Sequence, residues 1–179
     1  MNNLKQAKLI GIAGRARSGK DTVADMLVTM RGGYRYSFAD PIRSMLRGIG
    51  IDMNDPEWIA NKEKPIPGLG RSPRYLMQTL GTEWGRQLVN EDIWKIIAEI
   101  NLLQTGSGMI ISDVRFDNET AWVRSMGGIV IHIDRPDAPV VEAHSSEAGV
   151  QRLARDIVIV NDGTLEDLSY KINELLTDA

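Results

Sequence analysis

Residues 8–22, KLIGIAGRARSGKDT, decide the fold. Lys8–Ala13 carries the short apolar run of a strand buried on both faces, as strands of parallel sheets are. Gly14-Arg-Ala-Arg-Ser-Gly19-Lys20 follows, and Thr22–Met30 places Val23, Leu27 and Met30 on one helical face. Strand, glycine-rich turn, helix is the order an anion cradle needs. Glycines let the backbone curl so that successive N–H groups face inward around phosphate oxygens. The helix behind them adds partial positive charge. A lysine at position 20 can reach β- and γ-phosphates as a point charge. One feature departs from the usual pattern: Asp21 follows the lysine where a hydroxyl normally meets Mg²⁺, and Thr22 comes one later. Asp21 could ligate the metal, hold a metal-bound water or act on an acceptor.

Working outward, apolar runs and helical patterns alternate to the end of the chain, which predicts an α/β P-loop NTPase fold. Strands are expected at Tyr34–Phe38, Met109–Ser112, Ile129–Ile133 and Ile157–Val160. With the first, these make a five-stranded parallel sheet with helices on both faces. Pro41–Gly48 opens a helix with proline in its first turn. Residues 52–71 hold three prolines and two glycines and are expected to be a long loop. Pro73–Leu88 reads as one helix, with Leu76, Leu80, Trp84 and Leu88 as its apolar stripe. Arg74, Gln78, Thr82 and Arg86 form a polar row opposite. Ile93–Leu103 and Thr120–Met126 read as further helices, and the tryptophans as core. The last helix, opened by a capping box variant at Thr164–Asp167, is expected to bury Leu165, Leu168, Ile172 and Leu175.

Composition narrows the chemistry. The 179 residues suffice for a proper core, and with no cysteine there is neither disulfide nor thiolate zinc site. His132 inside a strand reads as structural and His144 as surface. No run suits a signal peptide or a membrane span, so a cytoplasmic protein without membrane contact is expected. Residues 1–90 carry 14 Lys and Arg against 8 Asp and Glu, and residues 91–179 carry 7 against 16. The arginines are scattered rather than run together, which favours a small polyphosphate ligand over stable nucleic-acid binding.

Asp113 ends a central strand, where a carboxylate can orient Mg²⁺ and its waters beside the phosphate loop. Arg115 lies two residues on. Arg74 and Arg86, with Gln78, Thr82 and Glu83 alongside, offer a clamp for an acceptor phosphate. Arg135, Arg152 and Arg155 flank or follow a polar loop at 135–147 that could close over a nucleotide.

GRARSGKDTVADML, YSFADPIR, YLMQTLGTEWGRQLVNEDIW, ISDVRFDNE, HSSE and IVIVNDGT together resemble the deoxynucleoside monophosphate kinases of phages, over roughly residues 8–170. The resemblance implies a single kinase domain over residues 1–179, using ATP and Mg²⁺. Within it lie a helical NMP-binding insertion at about 40–105 and a short lid at about 135–147. It implies ATP contacts at Gly14, Arg17, Gly19, Lys20, Asp21, Thr22, Asn161 and Gly163, with adenine near Asn161–Gly163. Deoxynucleotide contacts are implied at Phe38, Ala39, Asp40, Arg74, Gln78, Thr82, Glu83, Arg86, Arg115, Ser145 and Glu147. Lys20, Arg17, Asp21, Asp113 and Arg135 become the catalytic candidates, and Asp21, Thr22 and Asp113 the metal candidates. If phage-encoded, the enzyme would work in the host cytoplasm, with a homodimer as one assembly it could form. Two rivals stay open at this point. One is another small-molecule P-loop kinase, resembling dephospho-coenzyme A kinase or phosphomevalonate kinase. The other is a nucleotide-dependent switch or nucleic-acid binder.

Overall fold

The computed structural model describes residues 4–106, 108–137 and 150–177. They divide into two compact units, one running up to Ser37 and resuming at Leu102, the other Phe38–Asn101.

The first unit holds the sheet. β1 (Leu9–Gly14), β2 (Tyr34–Tyr36), β3 (Met109–Val114), β4 (Ile129–Asp134) and β5 (Ile157–Val160) are all parallel, in the order β2-β3-β1-β4-β5. The expected five-stranded parallel sheet is therefore present. β1 is central, with Ile10 in register with Ile110 on one side and Ile129 on the other. Successive strand residues face opposite ways. Ile10 and Ile12 join a core with Val23, Ala24 and Leu27 of α1 (Lys20–Arg31) and Leu168 and Ile172 of α7 (Leu165–Thr177). Gly11 faces the other way: a Cβ there would lie 3.0 Å from Val123 of α6 (Asp117–Ser125). Helices thus cover both faces, and glycine at 11 lets α6 approach closely.

α7 is opened as expected, Thr164 Oγ1 accepting from the Asp167 amide while the Asp167 carboxylate accepts from the Thr164 amide. Its buried stripe differs from the expected one, being Leu168, Ile172 and Leu176 at strict four-residue steps. Leu175 sits about 60° off the centre of that stripe, and Leu165 is the first residue of the helix. Leu175 is partly buried, and Leu165 is 64% exposed.

The second unit is helical: α2 (Asp40–Gly48), α3 (Pro56–Ala60), α4 (Pro73–Gln78), a π-helix (Thr79–Val89) and most of α5 (Ile93–Thr105). Two expectations fail here. The 52–71 segment contains α3, because Pro56 occupies a first-turn position and Asp55 caps it by accepting from the Glu57 amide. Pro73–Leu88 is not one α-helix, because i→i+5 bonding takes over from Thr79. Its leucine stripe is not the buried side either, with Leu88 79% exposed. The buried side is the glycines. Trp94 Nε1 donates to the Gly81 carbonyl (2.8 Å), and a Cβ on Gly85 would lie 2.5 Å from the indole. Of the four tryptophans read as core, Trp94 alone is buried and Trp84 is exposed. Removing side chains at 81 and 85 makes room for a large aromatic that brings its own donor.

Candidate phosphate site

All five strands run the same way, so the segments after β1, β3, β4 and β5 emerge at one edge of the sheet. Ligands of open α/β sheets bind at that edge. The loop after β1 is shaped by its backbone. Gly14 has φ 153, and a Cβ there would lie 2.7 Å from the Ile133 carbonyl oxygen. Gly19, the residue before α1, has φ 99, and Arg17 holds φ 61, a left-handed conformation uncommon without glycine. Such strain persists where the surroundings enforce it, often at ligand clamps. The Lys20 ammonium donates to the carbonyls of Gly14 (2.8 Å) and Arg15 (2.7 Å), so it lies across the loop and within reach of any anion seated there. The Ser18 hydroxyl is buried beneath the loop with no hydrogen-bond partner.

Two carboxylates flank the loop at the same edge. Asp113 is one residue before Val114, which pairs with Ala13 of β1. Ser37 Oγ donates to its Oδ2 (2.6 Å) and fixes its orientation. Asp134 ends β4 and pairs with Arg152. The Arg152 hydrogen bond holds this carboxyl below the usual carboxylate range; burial opposes that, and the charges of Arg152, His132 and Arg15 reinforce it. Asp21 is engaged elsewhere, with Arg35 of β2, whose guanidinium also reaches Asp25 (3.0 Å) and Ser112 Oγ (3.2 Å).

Among the described residues no three His, Asp or Glu side chains gather as a metal cage. Mg²⁺ carried by a nucleotide needs only one or two protein oxygens, since phosphates and waters supply the rest. Thr22 in the first turn of α1 and the oriented Asp113 are oxygens of that kind, so the residues present fit a nucleotide-borne Mg²⁺.

The sequence profile described as deoxynucleotide monophosphate kinase matches residues 8–70 and 70–172. The chain belongs to that family. It is therefore a kinase acting on small molecules. The deoxynucleotide monophosphate kinase of Enterobacteria phage T4 is 29% identical, covering 94% of this chain and 98% of its own. The deoxynucleoside-5'-monophosphate kinase of Escherichia phage T5 is 28% identical, covering 79% and 84%. A solved structure from Chloroflexus aurantiacus superimposes with a TM-score of 0.50 at 14% identity, covering 96% of this chain and 99% of that one, and so shares the fold.

Within this kinase Gly14, Arg17, Gly19, Lys20, Thr22, Asp113 and Asn161 lie on the first unit, in the loop after β1, the start of α1, the end of β3 and the residue after β5, while the Asp21 carboxylate is paired with Arg35 of β2. Arg115 and Arg135 follow β3 and β4 and are exposed. Gly163 follows β5, its Cα beside the Asp167 carboxylate. The expected acceptor residues Phe38, Ala39, Asp40, Arg74, Gln78, Thr82, Glu83 and Arg86 all belong to the second unit. Asp40 pairs with Arg43 (2.7 Å), and Arg86 donates to the Glu91 carbonyl (3.5 Å). Gln78, Thr82 and Glu83 are exposed. Ser145, Glu147 and most of the expected lid lie outside the described residues.

Sequence reasoning missed Arg35, Ser37 and Asp134. Ser37 stands inside the YSFADPIR stretch, and its position one residue past a strand is the signal that could have found it. Arg35 alternates with Tyr34 and Tyr36 in β2 and gave no sign of its partners. No helix among the described residues is long and apolar enough to cross a membrane.

Proposed function

We propose that this kinase transfers the γ-phosphate of ATP to the 5'-phosphate of a deoxynucleoside monophosphate, releasing a deoxynucleoside diphosphate and ADP. The observation that carries the donor half is the strained loop 14–19 with the Lys20 ammonium lying across it. A triphosphate entering the loop would exchange the two carbonyl contacts of Lys20 for β- and γ-oxygens, a charge-assisted interaction stronger than the neutral ones it replaces. Amides at the start of α1 would add donors where the helix dipole favours negative charge. Mg²⁺, held through Thr22 and Asp113, would supply charge neutralisation between the phosphates.

The acceptor is already an anion, so in-line attack needs no strong general base. Lys20 and arginines such as Arg17 and Arg135 would stabilise charge spread over the transferring oxygens. Asp21 is better read as the partner of Arg35 than as a metal ligand, because its carboxylate already receives a guanidinium. The second unit would supply acceptor contacts from Phe38, Ala39 and Asp40 and from Arg74, Gln78, Thr82, Glu83 and Arg86. Arg115 is a further candidate for binding the acceptor phosphate. The enzyme would act on free nucleotides in a host cytoplasm, without stable nucleic acid.

The test is ADP release measured against each dNMP and NMP, with wild type and Lys20→Ala. Acceptor-dependent release by wild type, lost about a hundredfold or more in the variant, is expected from removing one preorganised charge at the transferring group. Release equal in both proteins, or independent of every monophosphate, would refute it.

A further inference from the structure

We propose that Asn161 is a positioning residue that sets the peptide plane between Ser18 and Gly19, and so aims a phosphate-binding amide, rather than a residue that contacts the adenine base. The inference rests on the loop holding a polyphosphate and adds what keeps that loop in shape.

Asn161 follows the last residue of β5. Its own amide donates to the Asp134 carbonyl (2.6 Å), which continues the β4–β5 ladder by one residue and pins its backbone. Its side-chain Nδ2 donates to the Ser18 carbonyl (2.8 Å), across 143 residues of sequence. A carbonyl can only accept, so the NH₂ end of the side chain is the end that faces the loop.

The consequence follows from peptide geometry. In a trans peptide the C=O and the next N–H lie in one plane and point opposite ways. Holding the Ser18 carbonyl toward β5 therefore turns the Gly19 N–H away from it, to the side where an anion would sit. The chain has no cis peptide among the described residues, so the relation applies at this bond. Without Asn161, the Ser18–Gly19 plane could rotate cheaply, because Gly19 tolerates positive and negative φ alike. The contact also explains glycine at 19 beyond its φ of 99, since a Cβ there would lie 2.5 Å from Asn161 Nδ2. Loop and clamp are mutually fitted, and the clamp is held at its base by β4.

Binding of ATP and of inorganic tripolyphosphate separates this role from a base contact, because tripolyphosphate has no base. Calorimetric titrations would compare wild type, Asn161→Asp, Asn161→Ala and Lys20→Ala, each checked by thermal melting. Asn161→Asp keeps the shape but sets a carboxylate against the Ser18 carbonyl. It should weaken both ligands by the same factor, about tenfold or more. Asn161→Ala should weaken both equally too, by less, and carries the comparison if the aspartate variant does not fold. Loss of ATP affinity with tripolyphosphate unchanged would overturn the proposal in favour of a base contact, and no change in either would overturn it outright. Lys20→Ala reads the underlying assumption separately. If it leaves tripolyphosphate binding intact, the loop is not the polyphosphate site and the proposal falls with it.

Discussion

Replacing Asp156 with alanine should destabilise this kinase by several kcal/mol, although Asp156 lies outside the phosphate loop. The carboxylate is 2% exposed as a side chain and receives four donors. Arg124 supplies two, Nη2 to Oδ2 (2.6 Å) and Nε to Oδ1 (3.1 Å). His132 Nε2 (3.0 Å) and the Leu153 amide (2.9 Å) supply the others. Arg124 and His132 are themselves 8% and 4% exposed, so alanine at 156 would strand a guanidinium away from water. Breaking one side of a buried pair typically costs about 3–5 kcal/mol. For a chain of this length each kcal/mol lowers Tm by about 2–4 °C, so a fall of about 10 °C is expected. Asp156→Asn keeps volume and one acceptor and should fall about half as far. Burial pushes this carboxyl upward, but Arg124, the Leu153 amide and His132 outweigh it and hold it below the usual range. A depressed carboxyl stabilises the fold fully above its unfolded value of about 3.9 and less as pH drops through its folded value. Urea melts of wild type and Asp156→Asn should therefore show a gap at about pH 5 that closes as pH falls below about 4. An alanine variant melting within about 2 °C of wild type, or a gap that widens in acid, would refute the reasoning.

Other outcomes follow from the site and the helical unit. Thr22→Ala should raise the Mg²⁺ concentration for half-maximal activity at least severalfold, whereas Asp21→Asn should move it little, as read in Mg²⁺ titrations of ADP release. Asp21→Asn should also cost under about 1 kcal/mol in melts, because the Asp21 side chain is 74% exposed and exposed pairs contribute little. Trp94→Phe removes the donor to the Gly81 carbonyl and should cost about 1–3 kcal/mol in urea melts.

Much of this molecule is local and was legible in one dimension. The run of residues 8–22 spelled strand, loop and helix because each part depends on neighbours a few positions away: apolar residues for a buried strand, glycine for positive φ, a lysine one step into a helix. The Thr164–Asp167 cap was readable for the same reason, since its two bonds span three residues. The π-helix was not, because leucines at four-residue spacing suit an α-helix, and only Trp94 lying on Gly81 and Gly85 makes the glycine side the buried one. The engagement of Asp21 by Arg35, of the Ser18 carbonyl by Asn161, and of Asp156 by Arg124 and His132 was equally hidden. Those partners are 14, 143, 32 and 24 residues apart. Strand order and register decide which of them meet, and no pattern along the chain records a hydrogen bond made only after β5 has paired with β4.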